Sequence, residues 1–167
     1  MSVLQLSGTS GSFPLEIDIV HLDENWGDLA QQALIVDPIE KALQVIAPPV
    51  AGPSEICIVL SNDKEQRRLN KKWRKVDKTT NVLSFPQIGA FAPLAGMLGD
   101  MVFARETIAK EARAQQKTFN HHFTHLVVHG FLHILGYDHE NDKDAKQMES
   151  HEIDILMQIG IDNPYED

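Results

Sequence analysis

The segment Thr118-Phe-Asn-His-His-Phe-Thr-His-Leu-Val-Val-His-Gly-Phe-Leu-His-Ile-Leu-Gly-Tyr-Asp-His139 combines an apolar helix with a histidine series, and the rest of the chain is read outward from it. Over residues 118–135 the apolar positions Phe123, Leu126, Val127, Val128, Phe131, Leu132, Ile134 and Leu135 fall around most of a helical circumference. Such a helix is buried. Gly136 supplies the left-handed residue that ends it. His129 and His133 stand four apart, so on a helix their Cβ atoms lie about 5–6 Å from each other and both imidazoles reach one point. A Zn–N bond is about 2.0–2.1 Å long, so a third ligand has to arrive from another direction. A helix stop at Gly136 followed by a chain reversal brings His139 there. Three protein ligands leave one corner of a tetrahedral ion open, the arrangement of catalytic rather than structural zinc sites. The plainer alternative is a set of core and surface histidines.

Around this helix the chain alternates strand and helix signals. Residues 1–13, rich in Ser, Thr and Gly, read as a loose leader, and residues 14–167 as one domain. Leu15, Ile17 and Ile19 alternate with more polar neighbours, the period of a half-buried strand. Residues 26–46 read as helix with a break near Asp37, where Asp37-Pro38 and Glu40 resemble an N-cap, a first-turn proline and a capping-box acid. The proline-rich residues 47–53 form a linker within the domain. Residues 56–60 read as a central strand followed by a helix to about Trp73, capped by Ser61, Asn62 or Asp63. Strands over residues 82–85 and about 98–103 flank a loop, and helices follow over about 105–116 and 142–159. On the last helix Met148, Ile153, Leu156 and Met157 form the apolar face.

Composition bounds the function. At 167 residues, 43% hydrophobic and 23% charged, the chain has the make-up of one soluble globular domain. A formal charge of −9 opposes wholesale electrostatic capture of nucleic acid or anionic membrane. The lone Cys57 cannot form an internal disulfide, and no disulfide-linked partner is expected. No basic-led apolar leader opens the chain, so a cytoplasmic location is the expectation. Apolar runs are far shorter than the roughly 20 residues that span a bilayer, so no membrane is expected.

One stretch departs from the acidic average. Lys64, Arg67, Arg68, Lys71, Lys72, Arg74, Lys75 and Lys78 are opposed within their segment only by Glu65 and Asp77, a local excess of six positive charges. Such a stripe neutralises phosphates while the negative remainder repels the polyanion elsewhere, which suits RNA. A solvated helix face is the alternative. Lys71, Lys72, Lys75 and Lys78 are the candidates for RNA backbone contacts. Arg74 stands where the helix hands over to a loop and strand, where a guanidinium can grip phosphate at two points.

Other histidines are less telling. His122 and His125 share a face with His129 and read as hydrogen-bonded core or rim residues, or else as partners of the ligands or of substrate. His151 reads as solvated. The spacing of His129, His133, Gly136 and His139 also matches the metzincin peptidases, in which a glutamate after the first histidine is the general base. Gly130 occupies that place here, so a peptidase lacks its proton acceptor.

The sequence resembles the YbeY family of bacterial single-strand-specific endoribonucleases, the rRNA maturation factors. The resemblance runs from about Leu15 to Tyr165 and rests on four stretches. These are Leu69-Asn-Lys-Lys-Trp-Arg74, Asp77-Lys-Thr-Thr-Asn-Val-Leu-Ser-Phe-Pro86, Leu98-Gly-Asp-Met101 and His125-Leu-Val-Val-His-Gly-Phe-Leu-His-Ile-Leu-Gly-Tyr-Asp-His139. It implies a single α+β domain with a small mixed sheet of about four strands, surrounding helices and the histidine helix buried at the centre. It also implies one zinc ion per chain on His129, His133 and His139, and Arg74 as the functionally essential arginine. The implied task is trimming of single-stranded rRNA precursors, notably the 3′ end of the small-subunit RNA, and quality control with the ribosomal small subunit and its associated factors. Asn81 stands where many relatives have Asp. Two alternatives stay open: a non-catalytic assembly factor whose zinc braces the fold, and a metzincin-like metallopeptidase.

Overall fold

Period-two alternation puts Leu15, Ile17 and Ile19 on one face of a strand, and Ile56, Ile58 and Leu60 on the same face of its neighbour, all buried. In the computed structural model, which describes residues 2–5 and 13–166, these belong to β2 (Leu15–His21) and β3 (Val50–Ser61). With β4 (Val82–Pro86) and β5 (Leu94–Ala104) they form the body of a mixed sheet. A short β1 (Ser2–Gln5) extends it at the edge, giving the order β1-β2-β3-β5-β4. β2/β3 and β3/β5 are parallel, β1/β2 and β4/β5 antiparallel. The leader expected over residues 1–13 thus contributes an edge strand, while residues 1 and 6–12 of it lie outside the described residues.

Parallel neighbours require crossovers, and helices supply them. Between β2 and β3 runs α1 (Asp37–Ile46), preceded by one π-helical turn over Gln32–Val36. The break expected at Asp37 is this change of winding. Asp37 is itself helical, at φ −60° and ψ −44°, and its N–H donates to Gln32 O. It is therefore not an N-cap. Pro38 has no N–H and its ring crowds the carbonyl four residues back, and the wider turn before it relieves both. The expected linker over residues 47–53 is shorter than read, because β3 already begins at Val50. After β3 come α2 (Asp63–Arg74), capped by Asn62, and then β4. After β5 come α3 (Arg105–Ala114), α4 (Phe119–Leu135) and α5 (Asp142–Gln158).

α4 is the histidine helix, packed against α1, α3, α5, β4 and β5. Its apolar girth explains that position: Phe123, Val127, Val128, Phe131, Leu132 and Ile134 have no exposed surface. Phe123 packs on Trp26 and Phe103, with ring centroids 5.2 and 5.1 Å away. On α5 the buried residues are Met148, Glu152, Ile155 and Leu156, whereas Met157, expected on the apolar face, is largely exposed. No helix among the described residues is long and apolar enough to cross a membrane.

Candidate metal centre

The chain reversal after α4 builds the site. Gly136 N–H donates to His133 O at 3.1 Å and Tyr137 N–H to Leu132 O at 3.0 Å, the paired bonds of a Schellman motif. A third terminal carbonyl, Leu135 O, accepts from Phe91 N–H at 2.9 Å. Gly136 has φ +121°, and a Cβ there would lie 2.8 Å from Phe91 N and 2.9 Å from Ala90 Cα. Both are backbone atoms that cannot step aside. Gly136→Ala is therefore expected to cost about 2–3 kcal/mol, read in a circular-dichroism melt as a Tm lowered by about 5–10 °C. An unchanged melt would show that the reversal tolerates a side chain.

The turn delivers two things to the end of α4. Tyr137 O accepts from His133 Nδ1–H at 2.9 Å, and the chain two residues later places His139 opposite the helix. His129 Nδ1–H donates to Glu152 Oε1 at 2.6 Å. Both helical imidazoles thus carry their proton on Nδ1 and present a bare Nε2, and these two atoms lie 3.1 Å apart. Two lone pairs that close call for a cation between them, and a tetrahedral zinc ion spaces its nitrogens about 3.3 Å apart. One ligand atom from each of His129, His133 and His139 falls within 4.8 Å of the others. The donor set fits zinc. Burial and the neighbouring His129 push His133 down to about 4, so at neutral pH it is the uncharged imidazole that a metal requires.

Behind His129 lies a residue that sequence reasoning missed. Glu152 has no exposed surface, and besides His129 it accepts from Tyr165 O–H at 2.6 Å, with His125 Nε2 at 3.3 Å. Burial alone would raise its carboxyl, but donation from His125 and His129 outweighs this and brings it to about 2. Burial and the Glu152 charge push Tyr165 up, so its hydroxyl stays protonated as a donor. A metal-bound histidine that donates its other N–H to a carboxylate is held in orientation and made more basic. The signal was present in the sequence: Glu152 sits four residues from both Met148 and Leu156, an acid in the middle of the apolar face of α5. His125 is joined to this network, whereas buried His122 faces Glu111 at 2.9 Å. His151 stands against the Tyr137 ring, 5.0 Å between centroids.

The three histidines line a cleft of about 730 Å³ together with Arg74, Lys78, Asn70 and Asn81. Arg74 is exposed, with Nη2 donating to Ser84 O at 2.7 Å and its guanidinium 5.5 Å from the Phe85 ring. Asn70, buried on α2, donates to Lys78 O at 2.9 Å and so holds Lys78 at the cleft. Of the four candidate lysines Lys78 alone lines this cleft. Lys71 lies 4.0 Å from Asp77, Lys72 sits over the Trp73 ring and Lys75 donates to Lys72 O. Arg67 and Arg68 are paired with Asp77 and Glu65, so part of the basic stripe is neutralised locally. Asp138 and Glu140 add carboxylates to the cleft beside His139. Gly130 bears on the peptidase alternative. A Cβ there would meet Met101 Cε at 2.8 Å and Ser84 Oγ at 3.1 Å, against the sheet. That position offers no room for a general-base carboxylate.

A cleft with a three-histidine centre on a buried helix, in a mixed-sheet α+β domain, defines a class of candidate metalloenzyme. The sequence model of the family "Endoribonuclease YbeY" matches residues 19–160, and the chain belongs to that family. Its relatives include the endoribonuclease YbeY of Azorhizobium caulinodans, 44% identical over 155 residues, which cover 90% of this chain and 96% of that one. The endoribonuclease YbeY of Bradyrhizobium sp. strain BTAi1 is 45% identical over 139 residues, 78% of this chain and 82% of that one. A solution structure of a protein from Thermotoga maritima shares the fold, with a TM-score of 0.59, 24% identity and coverage of 86% of this chain and 88% of that one.

Proposed function

We propose that this protein is a metal-dependent endoribonuclease that cuts single-stranded rRNA precursors in the cytoplasm, in the maturation and quality control of the ribosomal small subunit. The observation that carries the reading is the convergence of His129, His133 and His139 on one point in a cleft that also holds Arg74, in a chain of the YbeY family. Zinc, one ion per chain, is the proposed metal. When bound, such an ion supplies Lewis acidity toward a phosphoryl oxygen.

The protein's own groups do the rest. Nδ1–H donation to Glu152 and to Tyr137 O keeps two ligands in the right tautomer. Arg74 spends one bond on Ser84 O, and its remaining donors are available to a phosphate oxygen on which charge develops. Lys78 is assigned to the strand's backbone at the cleft, and Lys71, Lys72 and Lys75 to phosphates along α2. Because those contacts are electrostatic, cleavage is expected to slow as salt rises.

The test is incubation of zinc-loaded protein with a single-stranded rRNA fragment, followed by analysis of the product ends. Cleavage abolished by a chelator supports the reading. Cyclic phosphate ends assign the attack to the RNA 2′-OH, simple phosphate ends to water. A metal-loaded protein that binds the fragment and never cuts it would instead establish the assembly-factor alternative. Arg74→Lys keeps the charge and loses the planar fork, so turnover is expected to fall by about tenfold or more with zinc content unchanged. Undiminished turnover would reduce Arg74 to its structural bond with β4.

A further inference from the structure

A second cleft, of about 350 Å³, shares Asn81 and His129 with the Arg74 cleft, so the two meet at the metal centre. Its chemistry is different. Where the first cleft offers the Arg74 guanidinium and the Lys78 ammonium beside the Asp138 and Glu140 carboxylates, the second offers the side chains of Gln115 and Glu111, His122 and His125, the ring of Tyr165, and Lys117 as its one lysine or arginine. From this contrast we infer that the second cleft is a nucleoside subsite, taking the base and sugar of the nucleotide that adjoins the scissile phosphate on the side away from Arg74. The inference rests on the function proposed above.

Three observations support it. A strand cut at His129 continues in both directions, and the Arg74 cleft accounts for one of them. Much of the wall of the second cleft is hydrogen-bonded: Glu111 accepts from His122 Nε2 at 2.9 Å and from Asn81 Nδ2 at 3.0 Å, and Lys117 Nζ donates to Pro164 O at 3.3 Å, while Gln115 stands exposed. The Lys117 bond ties the C-terminal segment to the link between α3 and α4, and Tyr165, whose ring stands edge to face with His125 at 5.5 Å, keeps 44% of its surface exposed. A partly exposed aromatic residue beside the Gln115 amide and the Glu111 carboxylate offers what a base requires, a ring for stacking and an edge for hydrogen bonding. The volume sits at the small end of ligand pockets, about 300–1,000 Å³, and suits one nucleoside rather than a longer segment.

The experiment measures binding rather than cutting. Fluorescence anisotropy of metal-free protein with oligoribonucleotides lengthened one nucleotide at a time, from either end, is expected to show an affinity step of about tenfold when the strand first fills both clefts. The double variant Gln115→Ala, Lys117→Ala, which touches no candidate metal ligand, is expected to lose that step while binding the shorter oligomers as wild type does. Absence of a step in the wild type, survival of the step in the variant, or equal weakening for all lengths would each overturn the subsite. Cleavage is scored separately with zinc-loaded protein. A chain that shows the step and cuts nothing therefore refutes the nuclease reading and leaves the second cleft as an RNA-binding subsite with no scissile phosphate beside it, whereas a chain that cuts and shows no step refutes the subsite alone.

Discussion

His133→Ala is expected to leave a folded protein that holds no stoichiometric zinc and cuts RNA at least about a thousandfold more slowly. His133 is one of three converging candidate ligands, and its Nε2 stands 3.1 Å from that of His129. Removing it leaves two imidazoles from opposite sides of the turn, too few to hold the ion against water and in no geometry that fixes the open corner. Lewis-acid stabilisation is worth several kcal/mol, and each 1.36 kcal/mol is a decade of rate, so three decades is a conservative figure. The fold is expected to survive. His133 is only partly buried, and the Tyr137 carbonyl it leaves lines an open cleft where water can replace it. Elemental analysis of dialysed protein, circular dichroism and a cleavage assay read the three quantities independently. Full cleavage in a zinc-free variant would remove the metal from the chemistry altogether.

The clustering of His129, His133 and His139 was legible because it is local. Two histidines a helical turn apart, a glycine with one available use and a third histidine three residues on are all short-range relations, and the structure brings the three together. The strands of the sheet's body were legible for the same reason, since the alternation of β2 and the short apolar runs of β3, β4 and β5 need no partner to be visible. What escaped involved long-range pairing or competition between local signals. Residues 2–5 carry no period-two pattern, and their strand shows only in the antiparallel pairing with β2. Asp37 and Pro38 are good helix-start residues, but the apolar residues Ile35 and Val36 just before them are buried, so the helix runs through with a π turn. On α5 the sequence pattern puts Met148, Ile153, Leu156 and Met157 on the apolar face; Met148 and Leu156 are buried, Ile153 is half-buried and Met157 is exposed. The true face is rotated toward Glu152 and Ile155, because burying Glu152 satisfies histidines on another helix. The basic stripe was visible as charge, yet which of its residues meets the cleft depends on Asn70 folding the next loop back, a contact no periodicity encodes.

Glu152→Gln is expected to weaken zinc binding by about 10–100-fold while leaving all three ligands in place. The amide has nearly the carboxylate's shape, so packing is preserved. It carries no charge, and one of its two ends is a donor that would face the N–H of His129 or the O–H of Tyr165. Either orientation leaves a buried group short of a partner, and His129 loses the anion that makes it a stronger ligand. The same residue links stability to pH. Its carboxyl is brought from 4.5 to about 2 in the folded state, so its contribution is complete above pH 4.5 and is lost as pH falls through about 2. In metal-free protein the difference in Tm between wild type and Glu152→Gln is therefore expected to be widest above about pH 4.5 and to close on acidification. Zinc affinity from competition with a chromophoric chelator and Tm across that range are separate measurements with one cause. A variant with wild-type affinity would make Glu152 a packing residue, and a Tm gap that widened as pH fell would show that its charge opposes the fold.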